Sequence, residues 1–141
     1  MFTKKRVYLL IGFCCVCLLL LNISRFVGGD VSNVKKEILG PSSKYSEKDI
    51  NRAMDKVITV FDLEYYGCKM TRIWFDPEFS DPYLGDESYS NQEVIVILSS
   101  FDTGPKAPSG FNTNDSYVRW SWILVRTSSM GSWKLVDWGQ G

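Results

Sequence analysis

Between Ser46 and Gly67 the apolar residues Ile50, Met54, Val57, Ile58, Phe61 and Tyr65 recur every three or four positions, and beyond Gly67 that spacing does not return. The pattern is one amphipathic helix followed by a chain that reads as sheet. Ser46 stands where it caps the free N–H groups, Glu47 and Asp49 place negative charge in the first turn, and Gly67 is a natural stop. Lys48, Asn51, Arg52, Asp55, Thr59 and Asp62 fall on the opposite, solvated side.

After the helix, residues 68–75 alternate around Met70, Ile73 and Trp74, and Asp76-Pro77 breaks the run. Residues 93–101 (EVIVILSSF) are β-branched and apolar on both faces, as a central strand should be. Residues 117–126 (YVRWSWILVR) place Val118, Trp120, Trp122 and Leu124 on one face by period-two geometry, and Tyr117, Arg119, Ser121, Ile123 and Val125 on the other. A short connection at Ser128-Ser129-Met130-Gly131 leads into a last strand over residues 133–138. One long helix and about four strands in an antiparallel meander make an α+β domain, with the helix across one sheet face.

The other strong feature is residues 7–23, an apolar run interrupted only by Gly12 and Asn22 and preceded by Lys4-Lys5-Arg6. As a helix it is about 25 Å long, near the lower limit for spanning a bilayer core. It exceeds the usual apolar region of a cleaved signal peptide, which favours a retained anchor. Two other readings stay open, a signal cleaved near Val27-Gly28-Gly29 and a lipoprotein, although no small residue precedes Cys14, Cys15 or Cys17 as lipidation requires. All three keep the basic cluster in the cytoplasm and the rest of the chain outside it: a single-pass membrane protein, or a secreted one if cleavage occurs. The organisation expected is residues 1–29 as tail and anchor or signal, 30–43 as a linker ended by Gly40-Pro41, and 44–141 as the exported domain.

Charge and composition narrow the chemistry. Residues 1–29 carry +4, and the remaining residues hold 12 bases against 16 acids, a net −4 that argues against nucleic acid as a partner. The chain has no His, which removes Ser-His-Asp and Cys-His catalysis and His-ligated metal. Three of the four Cys lie in the apolar run, so a sulfur-ligated metal has only Cys68 to use, and Cys68 reads as a small buried hydrophobe. No cofactor is expected.

The acidic segment Asp76 to Glu87 holds five carboxylates and no base. As a calcium loop it would present Asp76, Glu78, Ser80 and Glu87, but Asp81 stands where glycine is needed, so a solvated, mobile acidic loop is expected. Four of the five Trp fall in the last 22 residues. Trp120 and Trp122 either line the core or form an aromatic pocket or partner face with Tyr117, Arg119 and Trp138. Asp102, ahead of a Gly/Pro loop, reads as a turn residue, and the alternative is a lone acid/base there or at Asp137. Asn22-Ile-Ser24 and Asn114-Asp-Ser116 match the glycosylation sequon.

Ser46-Glu-Lys-Asp-Ile-Asn, Gly67-Cys68, Val96-Ile-Leu-Ser-Ser-Phe-Asp102, Phe111-Asn, Trp120-x-Trp-Ile-Leu-Val-Arg126 and Trp133-Lys-Leu-Val-Asp-Trp-Gly139 together resemble an uncharacterised family of exported or lipid-anchored proteins of Clostridia-type Firmicutes. That family is similar to the nuclear transport factor 2-like (cystatin-like) superfamily. The resemblance implies a helix packed into a strongly curved antiparallel sheet, and it transfers no catalytic role to any residue. The expected role is non-catalytic: binding a small ligand in the cone, or a protein partner at the cell envelope, through Tyr117, Arg119, Trp120, Trp122, Trp138 or Asp102. The alternatives are a subunit of a secretion- or conjugation-type assembly, and an enzyme with a lone Asp.

Overall fold

The computed structural model describes residues 4, 8, 11–18 and 28–141. The first ten of these are helical, and no helix among the described residues is long and apolar enough to cross a membrane. The rest of the apolar run 7–23, and the sequon at Asn22, lie outside the described residues.

The folded unit is α+β and begins earlier than the sequence suggests. A strand β1 (Lys35–Ile38) precedes helix α1 (Glu47–Glu64), and strands β2 (Cys68–Phe75), β3 (Glu93–Thr103), β4 (Ser116–Arg126) and β5 (Lys134–Gln140) follow. The sheet has five strands in the order β1-β2-β3-β4-β5. The last four are antiparallel to their neighbours, but β1 runs parallel to β2, so the sheet is mixed. Residues 30–43, expected as a linker, thus supply an edge strand. Its sequence, KKEI, hides it: a short charged strand blunts a sheet edge and shows no apolar alternation. Ahead of it, the Gly29 N–H donates to the carbonyls of Phe61 (3.2 Å) and Asp62 (3.1 Å). A side chain there would collide with the Phe61 ring, its Cβ lying 2.5 Å from it.

Helix α1 starts as expected, with Ser46 and Asp49 forming a reciprocal capping box. Ile50, Ala53, Met54, Val57 and Phe61 are its buried stripe. The chain leaves the helix through Gly67, which holds φ +71 and lies against the backbone of Lys106, where a Cβ would come within 2.7 Å of a carbonyl oxygen. Cys68 is buried as expected, and burial pushes its thiol up to about 11.

Two bulges flank Ser100 of β3. On β2, Thr71 is the extra residue, because Met70 pairs with Phe101 while Arg72 pairs with Ser100. On β4, Val118 and Arg119 together face the single residue Ser100, between Ser99↔Trp120 and Phe101↔Tyr117. Bulges bend a strand and sharpen its twist. The second also shifts the side-chain alternation of β4. Tyr117, expected on the opposite face from Trp120, therefore joins Trp120, Trp122 and Leu124 on the helix side. Val118, expected with them, is instead exposed. The shift passes through Arg119, a non-glycine residue at φ 57.

Both sheet faces are covered. The helix side packs Met70, Ile73, Phe75, Ile95, Ile97, Phe101, Trp122 and Leu124 against α1. The far side packs Trp74, Val94, Val96, Leu98, Ile123 and Val125 under Phe79, Tyr83, Leu84 and Tyr89. Those last four belong to the acidic segment, which is a folded cover rather than the expected solvated loop. It runs through a short helix α2 (Pro77–Ser80) and two 3-10 turns, and its apolar side chains explain the packing. Its acids serve locally, Asp76 and Asp86 accepting from the N–H groups of Glu78 and Ser88. Because β2 ends at Phe75, the upper part of β3 lacks a strand on that side. Side chains fill in there: Ser80 Oγ accepts from the Val96 N–H at 3.0 Å, and the Tyr45 hydroxyl donates to the Val94 carbonyl at 2.8 Å.

Candidate functional site

Seven aromatic rings gather on the helix side of the sheet: Phe61 from α1 and Tyr65 at its C-cap, Phe101 from β3, Tyr117, Trp120 and Trp122 from β4, and Phe111 from the loop between β3 and β4. Phe101 stacks on Tyr117 with centroids 5.1 Å apart, and Tyr65 stacks on Phe61 at 4.8 Å. Phe111 closes the open end, standing 5.2 Å from Tyr117 and 5.4 Å from Trp120. Such offset and edge contacts are favourable beyond the area they bury. Phe61, Phe101 and Trp122 are fully buried, while Phe111, Tyr117 and Trp120 remain partly open to solvent.

The loop that carries Phe111 is tied at its base. Thr103 Oγ1 donates to the Asn112 carbonyl at 2.6 Å and accepts from the Asp115 N–H at 2.9 Å. The Asn112 N–H donates to the Tyr117 hydroxyl at 2.9 Å. Phe111 is thus held over the cluster by polar bonds around it, not by bonds of its own ring.

The polar atoms within the cluster are unequally served. The Trp122 indole N–H donates to the buried Ser99 hydroxyl at 2.9 Å. The Trp120 indole N–H is buried and has no hydrogen-bond acceptor, the one such side-chain atom among the described residues. It interacts electrostatically with the Tyr65 hydroxyl without the geometry of a hydrogen bond, and burial raises the pKa of that phenol. A buried donor without a well-formed hydrogen bond is costly and calls for an explanation.

The other candidates fall elsewhere. Arg119 is exposed on the far side of the sheet, its guanidinium 5.2 Å from the centre of the Phe79 ring. Trp138 is half-exposed on the edge strand, paired with Trp122. Asp102 is exposed and accepts from the Ser116 hydroxyl at 2.6 Å, on the rim of an open cleft of about 500 Å³ shared with Lys69 and Lys106. Asp137 is exposed as well, accepting from the Trp138 N–H at 2.8 Å. Neither carboxylate is enclosed. No group of three or more Cys, Asp or Glu able to hold a metal occurs among the described residues. Asn114 is exposed in a turn at φ 52.

Sequence reasoning missed the parts of the cluster that come from outside β4. Phe111 lies in a Gly/Pro loop and Tyr65 at a helix end, and only the folded chain brings them together. It also missed a buried ionic network. Arg126, at the end of an apolar strand, donates to Asp49 at 2.8 Å and to Glu93, and lies against the rings of Trp133 and Tyr45. Comparison of the chain with protein-family models, curated proteins and solved structures finds no match.

Proposed function

We propose that the chain is a non-catalytic, envelope-anchored binding domain whose ligand site is the aromatic cluster under Phe111. The observation that carries this is the indole N–H of Trp120, buried without a well-formed hydrogen bond beneath the Phe111 ring, which rests on the cluster through ring contacts. A flat apolar molecule with one hydrogen-bond acceptor would replace the Phe111 ring and satisfy Trp120. The nuclear transport factor 2-like cone is part of the same proposal, supported by one long helix against a sheet with a bulge in each of three strand pairs and by the family resemblance of residues 44–141. So is the anchor, supported by the apolar run 7–23 behind Lys4-Lys5-Arg6.

The test is native mass spectrometry of the full chain released from neutral-lipid nanodiscs. A retained small molecule is expected, and it should be lost in Trp120→Phe, which keeps an aromatic ring, though a smaller one, and removes the N–H. Retention unchanged by Trp120→Phe, or no ligand in any preparation, refutes the reading.

A second reading is a subunit of an envelope assembly, favoured by the free edge of β5 with Trp138 and Val136 half-exposed on it. It predicts self-association that Trp138→Ser abolishes; a strictly monomeric chain by light scattering counts against it.

A further inference from the structure

A second cleft lies on the solvent side of α1, away from the aromatic cluster. It has a volume of about 460 Å³ and is formed between the helix and the connection from β4 to β5. Arg52, Asp55 and Lys56 line the helix wall, and Met130, Ser132 and Trp133 line the other.

Its electrostatics follow from which carboxylates are already engaged. Arg52 has two acids within one helical turn, Asp49 and Asp55. Asp49 accepts from Arg126 and from the Ser46 hydroxyl, and Asp55 is bound by Lys36 from β1. Lys56 has no acid three or four residues away on the helix. Arg52 and Lys56 therefore face each other at i, i+4 spacing, and among the described residues neither side chain has an ion pair or hydrogen bond. Lys48 extends the same row one turn earlier. Like charges at this spacing destabilise a helix, and a bound anion would reverse the sign of that interaction. The cations stand out in a domain whose net charge is −4.

The opposite wall adds two features. Among the described residues the Ser132 hydroxyl has no partner, and Met130 is 91% exposed, a flexible apolar side chain at the mouth of the cleft. Trp133 gives the wall rigidity, because its indole N–H donates to the Asp49 carbonyl at 3.1 Å.

We infer that this cleft binds a phosphate monoester bearing a short apolar group, its phosphate between Arg52 and Lys56 and its apolar part against Met130. The guanidinium supplies paired donors, Lys56 the second charge, and the Ser132 hydroxyl a neutral donor. The site is independent of the aromatic cluster, so its failure leaves that reading standing.

The test is an amide-shift titration of the isotope-labelled full chain in neutral-lipid nanodiscs. The probes are butyl phosphate, inorganic phosphate and butyrate. Saturable shifts at Gly131, Ser132 and the Arg52 side chain are expected for butyl phosphate. Arg52→Gln with Lys56→Gln should weaken it at least about tenfold, with an unchanged melting temperature showing that the fold persists. Met130→Ser should weaken butyl phosphate about threefold and leave inorganic phosphate unaffected. Butyrate binding as tight as butyl phosphate overturns the assignment to phosphate. Absence of saturable shifts, or binding unchanged in the double glutamine variant, overturns the site.

Discussion

Replacing Arg126 by methionine removes a cation from the most densely connected point in the fold. The side chain of Arg126 is 2% exposed and its Nη1 stands 2.8 Å from Asp49 Oδ1, while its Nε donates to Glu93. Its guanidinium centre also lies 4.3 Å from the Trp133 ring centre and 5.5 Å from that of Tyr45. One residue thereby joins the start of α1, the start of β3, the end of β4 and the connection to β5. Breaking a buried pair by deleting one partner costs about 3–5 kcal/mol, because the other charge stays behind. Here the carboxylates left behind are each 22% exposed and keep some water, which lowers the figure. Methionine refills part of the volume, and the lost stacking on two rings adds back roughly 1 kcal/mol. The expected loss is about 3 kcal/mol, read as a lower urea midpoint at an unchanged slope. Asp49 also belongs to the capping box, so a cycle with Asp49→Asn is needed to isolate the pair, with a coupling of about 1–2 kcal/mol expected. pH gives an independent readout. The Asp49 carboxyl is held below its usual range first by the Ser46 hydroxyl and then by Arg126. A depressed folded pKa contributes stability above the unfolded pKa that is lost as pH falls through the folded one. The acid limb of the stability curve should therefore be shallower in Arg126→Met. A loss below ~1 kcal/mol, or an unchanged acid limb, would show that the network is incidental to stability.

Phe61→Ala should cost ~3–5 kcal/mol in the same assay, because the ring is fully buried between α1 and β3; a loss below ~1 kcal/mol would mean the wrong helix face has been assigned. Cys68 should resist a thiol reagent at pH 8 until the chain unfolds, since burial pushes its pKa up to about 11. By linkage its contribution is complete below the unfolded thiol pKa and is lost as pH rises from there through the folded value of about 11; rapid labelling of Cys68 itself in the native chain, distinguished from Cys14, Cys15 and Cys17 by peptide mapping, would contradict this. Arg119→Gly should stabilise by up to about 1 kcal/mol, since glycine accepts the left-handed backbone at φ 57, although contact with the Phe79 ring is lost. A destabilisation beyond ~1 kcal/mol would place the weight of Arg119 in its side chain.

The elements that were legible in the sequence are those whose signal is local. Ser46, Asp49 and the stripe from Ile50 to Phe61 specify a helix through capping and period, both properties of neighbouring residues. Strands β2 to β4 announce themselves through β-branched and aromatic runs. Strand β1 does not, because KKEI owes its conformation to Arg72 and Trp74 beside it, with Glu37 bound to Arg72. The acidic cover was misread for a related reason. Counting carboxylates describes its solvent side, whereas Phe79, Tyr83, Leu84 and Tyr89 decide where it sits, and they need the far face of the sheet to act on.

The candidate site divides in the same way. That Trp120 and Trp122 share a face follows from a period of two, and the structure keeps them together. That Tyr117 joins them follows from a bulge opposite Ser100, which displaces the alternation and which no pattern within residues 117–126 reveals. By itself the sequence determined the class of fold, the helix and its buried stripe, the antiparallel succession of β2 to β5, and the absence of histidine chemistry, all of which rest on composition and short-range spacing. Tertiary structure alone decided the parallel edge strand, the face of Tyr117, the contact of Phe111 with Trp120 and the engagement of Asp49 by Arg126 and of Asp55 by Lys36. The physical reason is that each of these depends on a partner distant in sequence: on which atom is nearest in space once the chain has folded.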